Sequence, residues 1–181
     1  GDQALLTRSV ATIVSQVRAM QQLVNEFRDY ARLPAAQLQP LDLNALAAEV
    51  LALYGHAQDS GRLTARLATG LPAILGDPTQ LRQVIHNLVQ NALDAVAERP
   101  EGRVEVTTAA ALGDDGRLRA VRLTVRDNGP GFAAHVLKRA FEPYVTTKAK
   151  GTGLGLAVVK KIADEHRARL SLANVREGEQ P

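Results

Sequence analysis

The chain has 181 residues, 45% hydrophobic and 23% charged, which suits one globular domain with a short attachment and a core that needs no staples. Cysteine is absent, so disulfides and thiolate metal sites are excluded, and His56, His86, His135 and His166 form no H-x-x-x-H pair for zinc. The net charge of +3 is spread over scattered, mostly arginine side chains with no aromatic-interleaved basic stripe, which argues against a nucleic-acid partner.

No apolar run approaches the ~20 residues of a membrane span, so no membrane contact is expected of this chain. There is no signal-peptide pattern and no initiator methionine, and a piece of a longer protein is expected. The absence of cysteine makes a reducing compartment the natural home, and the cytoplasmic side of a parent that could be membrane-anchored is expected.

Residues 3–33 carry a long helical pattern. Leu6, Ile13, Met20 and Phe27 recur every seven residues, and Val10, Val17, Val24 and Ala31 form a second series. The two make a narrow a/d seam with polar flanks, the pattern of a helix that pairs with partner helices. Pro34 stops it. Residues 33–42, with two prolines and no period, read as a linker. Asp42 can cap a helix over 43–59 that Gly61 ends, and "RLTARL" suits a strand.

In the next segment Asp77 is an N-cap, Pro78 the first helical residue, and Gln80 stands at the capping-box position of a helix reaching Glu98. Leu81, Ile85, Leu88, Val89, Ala92 and Val96 cover its core face. Asn87 and Asn91 project from one side, one turn apart, with Asp94 close to the next turn. A mid-helix asparagine costs propensity, and its amide oxygen is a fit donor for Mg²⁺. For a lone asparagine, local hydrogen bonding at the edge of the core is the better explanation; for the pair, that reading and a ligand-facing site weigh about equally.

Residues 103–110 and 118–126 alternate around "GDDG" and predict a β-hairpin. In "VRDNGPGF" Asp127 closes the strand and can accept from an exocyclic amine, while Gly129 and Gly131 allow close approach of a ligand. The same string is also ordinary turn chemistry. In "GTGLGLAVVKKIADEH" Gly151, Gly153 and Gly155 expose N–H groups where a helix opens, and Lys148 and Lys150 precede it. The stretch is neither a Walker A nor a Rossmann fingerprint. A strand is expected at 169–175.

Taken in order, "HNLVQNALDA", "DNGPGF", "FEPYVTTK" and "GTGLGLAVVKKI" resemble the N, G1, F and G2 boxes of sensor histidine kinases, nearest to the NtrB/NtrY nitrogen-regulation type. These kinases share a GHKL superfamily with gyrase, Hsp90 and MutL. The resemblance implies a two-layer α/β (α+β) sandwich of the Bergerat type, a mixed sheet with helices on one face, preceded by one long helix. It assigns residues 1–34 to the second helix of a dimerisation bundle, 35–42 to a linker and 43–181 to an ATP-binding catalytic domain. The resemblance further implies that Asn91 ligates Mg²⁺, with Asn87 assisting it and serving as the catalytic candidate. Asp127 would hold the adenine amino group, and Gly129 and Gly131 would shape the pocket. Gly153, Leu154 and Gly155 would cradle the ATP phosphates, flanked by Thr152 and Leu156, with Asp94 beside the site. Residues 132–150 would form a lid anchored by Phe141, with Lys148 near the phosphates.

The family's first helix, which carries the phospho-accepting histidine in an H-[ED]-x-x-[NT]-P string, has no counterpart here. "HRARLSLANV" also stands where the family has HGG before a strand. The function implied is transfer of the ATP γ-phosphoryl to a histidine on a helix outside this chain, then to an aspartate of a response-regulator receiver domain, by a parent that dimerises through residues 3–33. The alternatives are a GHKL-type ATPase and an ATP-dependent dimerisation or sensing module. ATPases of this superfamily place a glutamate where Asn87 stands, to deprotonate water, and an amide cannot take that proton.

Overall fold

A computed structural model of the protein describes residues 1–147, 151 and 153–175. Helix α1 (Asp2–Ala31) is uninterrupted and has no buried residue. Its seam residues Leu6, Ile13, Met20 and Phe27 are exposed to between 49% and 65%, so the apolar stripe faces solvent rather than the chain's own core. The last turn of α1 meets α6 (Gly155–Glu165). There Lys161 Nζ donates to Tyr30 O at 2.6 Å and lies 4.7 Å from the centre of the Tyr30 ring.

The segment expected to be a plain linker contains a strand. β1 (Gln39–Leu41) pairs antiparallel with β3 (Ile74–Gly76), an element also absent from the sequence reading. Three-residue strands carry no readable period, and among the described residues β1 is an edge strand, where proline is tolerated. Asp42 caps α2 (Leu43–Ala52) by accepting from the Ala45 N–H at 3.1 Å. The single helix expected over 43–59 is two helices, because Tyr54, at φ −108° and ψ 30°, leaves helical geometry before α3 (Gly55–Asp59). Gly55 weakens the helix at that point, and the Tyr54 hydroxyl reaches His86 Nδ1 at 2.6 Å.

β2 (Leu63–Leu67) runs parallel to β4 (Val104–Leu112), which runs antiparallel to β5 (Leu118–Asp127), giving a mixed sheet in the order β2-β4-β5. The hairpin therefore forms as predicted, with Val106 opposite Val125. Helices α2 and α4 (Pro78–Ala95) cover one face of the sheet. Leu46, Val50, Ile85, Val89 and Val96 interlock with Val104 and Val106, each 5% exposed or less. Helix α6 packs beside α4 and buries Ala157, Val158, Val159 and Ile162. This is the two-layer arrangement expected from the sequence, with the polar side of α4 left to face α6.

Two expectations fail at element ends. Helix α4 stops at Ala95, three residues before Glu98. Residues 169–175 form no strand. The chain leaves α6 through Arg167 at φ 51°, with the Ala168 N–H on Ala163 O at 2.8 Å. Among the described residues no helix is long and apolar enough to cross a membrane.

Candidate functional site

The N-cap is as expected, since Asp77 accepts from the Gln80 N–H at 3.1 Å and Pro78 opens the helix. Gln80 does not complete a capping box. Its side-chain amide donates to Pro34 O at 2.7 Å, and the Asp77 N–H is taken instead by His166 Nε2 at 2.9 Å. Both contacts come from elements remote in sequence, which local spacing cannot anticipate.

From this cap, α4 carries Asn87 and Asn91 to the first turn of α6. Asn87 Nδ2 donates to Gly155 O at 3.3 Å. A side chain on Gly155 would stand 3.6 Å from Asn91 Nδ2. The amide pair and the glycine turn, 68 residues apart in sequence, are thus neighbours. Helix α6 begins at Gly155, and the N–H groups of its first turn have no partner within the helix, so they present a partial positive charge. Leu154, with no exposed surface, anchors the turn to the core, and Leu156 is half-buried. Asp94 is exposed on the flank of α4 and accepts from Gln90 Nε2 at 2.8 Å. Burial raises the Tyr54 pKa above the usual phenol value, and the Asp94 charge adds to the rise.

Gly153 proves to be a structural joint. Its φ is +72°, and a Cβ there would lie 2.5 Å from the Tyr144 carbonyl carbon. Gly153 O accepts from the Tyr144 N–H at 3.0 Å, and Tyr144 itself sits at φ 66°. This contact fastens the segment after α5 (Ala134–Leu137) to the start of α6. Within that segment Phe141 is half-buried next to the buried Ala140. Lys148, Lys150 and Thr152 lie outside the described residues.

The third part is the turn after β5. Asp127 Oδ1 accepts from the Gly129 N–H at 2.8 Å, and a Cβ on Gly129 would sit 2.7 Å from that oxygen and 3.0 Å from Ala95 O. Asn128 clamps the turn to the loop after α4, accepting from the Arg103 N–H at 2.7 Å and donating to Glu101 O at 2.8 Å. At the far end Asn174 Oδ1 accepts from the Phe132 N–H at 2.9 Å, and Asn174 Nδ2 donates to Phe132 O at 2.6 Å. Sequence reasoning missed both clamps and Tyr144. Asn128 was visible within D-N-G as generic turn chemistry, whereas nothing local marks Asn174.

Among the described residues no group of three or more histidine, aspartate or glutamate side chains could hold a metal. The donors at the mouth of α6 are carboxamides, neutral hard oxygens that suit Mg²⁺ when phosphate oxygens and waters complete its shell. The donor chemistry fits that ion.

Residues 76–180 match the family described as "Histidine kinase-, DNA gyrase B-, and HSP90-like ATPase". The chain belongs to this family. It is 34% identical over 175 residues to the sensory histidine kinase/phosphatase NtrB of Rhizobium leguminosarum bv. phaseoli, covering 91% of this chain and 45% of that protein. It is 36% identical over 157 residues to the sensor histidine kinase ZraS of Escherichia coli (strain K12), covering 86% of this chain and 32% of that one. The chain therefore spans less than half the length of these relatives. Among solved structures, full-length ShkA in complex with AMPPNP matches with a TM-score of 0.66 at 34% identity, over 87% of this chain and 34% of that one. The histidine kinase resemblance and the two-layer fold expected from the sequence are thus both upheld.

Proposed function

We propose that the chain is the ATP-handling part of a two-component sensor histidine kinase, with residues 1–34 as the second helix of a dimerisation bundle, 35–42 as linker and 43–181 as catalytic domain. The observation that carries this is the junction of Asn87 and Asn91 with Gly155. It brings amide donors and a helix N-terminus to one place, as a bound triphosphate with its cation requires. Asn91 is the Mg²⁺ ligand and Asn87 assists it through its amide oxygen, its N–H₂ being engaged by Gly155. Bound Mg²⁺ supplies charge neutralisation of the phosphates.

Asp127 takes the adenine amino group on the oxygen not given to Gly129, with Gly129 and Gly131 keeping the backbone close to the base. Gly153, Leu154 and Gly155 cradle the phosphate oxygens through backbone N–H groups, flanked by Thr152 and Leu156, and Phe141 anchors a lid over 132–150 with Lys148 near the phosphates. Transfer then needs positioning more than a nucleophile from this chain. A nitrogen of the acceptor imidazole attacks the γ-phosphorus, the bond to the bridging oxygen breaks, and ADP leaves. The phosphoryl group passes next to the aspartate of a response-regulator receiver domain. The parent dimerises through the exposed seam of α1 and works in the cytoplasm.

Asn87 separates this reading from hydrolysis, since no carboxylate stands one turn before Asn91. With ATP and Mg²⁺ alone, the chain is expected to release no steady phosphate. Sustained release would favour the ATPase alternative.

A further inference from the structure

We propose that Asn174 is a positioning residue for the nucleobase end of the site, setting adenine selectivity from beyond α6. The proposal rests on the reading of Asp127 as the adenine partner.

Residues 168–175 follow α6 without secondary structure. Their described link to the Asp127 turn is one side chain that reproduces the pairing a strand would supply. Asn174 Oδ1 takes the Phe132 N–H at 2.9 Å and Nδ2 gives to Phe132 O at 2.6 Å. A carboxamide has one acceptor and a donor group in the same plane, so it can satisfy the N–H and C=O of one residue together. This two-point contact fixes both position and orientation of the peptide units around Phe132.

Gly131 shows how closely the two segments are fitted. It sits at φ +70°, and a Cβ there would stand 2.7 Å from Asn174 Oδ1. The turn is thus held at both ends by asparagines, Asn128 at its start against residues 101 and 103 and Asn174 at its finish. Asp127 stands just before the turn, at the end of β5, and is tied to Gly129 inside it by the 2.8 Å bond that orients the carboxylate. Freeing the Phe132 end lets Gly129 shift and reorients the carboxylate it holds. The Asp127 main chain stays paired with Val104 and Gly155 stays seated through Leu154, so what changes is the distance from that carboxylate to Gly155. Base recognition depends on that distance, whereas phosphate binding at α6 does not.

The readout is therefore a ratio. ATP and inosine triphosphate share ribose and phosphates, but inosine carries a carbonyl where adenine has its amino group, which a carboxylate rejects. Calorimetric Kd values for both, with Mg²⁺, are to be compared in the wild-type chain, Asn174→Ala and Asn174→Asp. The expected result is a clear wild-type preference for ATP that falls about tenfold in Asn174→Ala. Asn174→Asp keeps the acceptor and loses the donor, so it should lie between. Its added charge acts on both nucleotides alike, and partial unfolding cancels in the ratio. An unchanged preference in Asn174→Ala, whatever happens to affinity, overturns the role of Asn174 and leaves Asp127 standing. A wild-type chain that does not distinguish the two nucleotides overturns the Asp127 reading and this inference with it.

Discussion

The main-chain N–H of Asp77 donates to His166 Nε2 at 2.9 Å, joining the start of α4 to the end of α6 across 89 residues of sequence. His166 Nδ1 lies 2.8 Å from Ile162 O, so the ring donates from Nδ1 and accepts at Nε2. The Asp77 carboxylate caps α4 and accepts from the Gln37 N–H at 2.9 Å in the linker. One residue thereby ties together the helix that carries Asn87 and Asn91, the helix that carries the glycine turn, and the segment leading from α1.

Replacing Asp77 by alanine should lower stability by about 1–2 kcal/mol through the lost cap. Burial works to raise the Asp77 pKa, but N–H donation from Gln37, Gln80 and Thr79 and the nearby His166 outweigh it, and the net shift is downward. A carboxyl lowered in the folded state adds stability that is present above its unfolded pKa of about 4 and is lost as pH falls through the folded value. Urea midpoints of the wild type and Asp77→Asn should therefore differ at pH 7 and converge below about pH 4. A gap that persists into acid would contradict the assignment.

Asn91→Ala should abolish Mg²⁺-dependent ATP binding while leaving the circular dichroism spectrum intact. Outer-shell partners of a metal are already worth about 10–100-fold in affinity, so removal of a direct ligand should cost at least that. An unchanged Kd by calorimetry would remove Asn91 from the metal's shell.

Gly153→Ala combines a left-handed φ of +72° with a Cβ 2.5 Å from the Tyr144 carbonyl carbon. Backbone strain of this kind costs about 1–3 kcal/mol, and the clash adds to it. The variant should melt at lower temperature and bind ATP more weakly, because the segment after α5 loses its Tyr144–Gly153 seat at the start of α6. Wild-type values in both thermal melts and ATP titrations would show that the joint is dispensable.

Much of this was legible in the sequence, and the failures have a common cause. The caps at Asp42 and Asp77, the hairpin and the seam of α1 follow from chemistry within a few residues, which periodicity and side-chain type reveal. Asn87 and Asn91 could be picked out because both fell on one helical face, yet their contact with Gly155 is a tertiary fact. The β1–β3 ribbon, the diversion of Gln80 to Pro34, the Gly153–Tyr144 joint and the Asn174 clamp each join residues that no local window contains. The strand expected over 169–175 failed for the complementary reason, since alternation states a preference and pairing requires a partner edge.

The uncovered stripe on α1 leads to a prediction about assembly. Val17, Met20 and Val24 are 48%, 65% and 63% exposed, an apolar surface that a partner helix would cover. Met20→Glu should weaken concentration-dependent self-association of the chain in sedimentation velocity while sparing ATP affinity. Identical sedimentation of the variant and the wild type at all concentrations would place dimer contacts elsewhere.

The central claim is transfer of a phosphoryl group to a histidine that this chain does not supply. The direct measurement is to mix the chain with γ-labelled ATP, Mg²⁺ and a separate polypeptide that carries an acceptor helix with an H-E-x-x-N-P string, and to follow label on that polypeptide. The account predicts acid-labile, base-stable phosphate on the acceptor that disappears with Asn91→Ala. ATP binding without any labelling of the acceptor would contradict it and leave a nucleotide-sensing module.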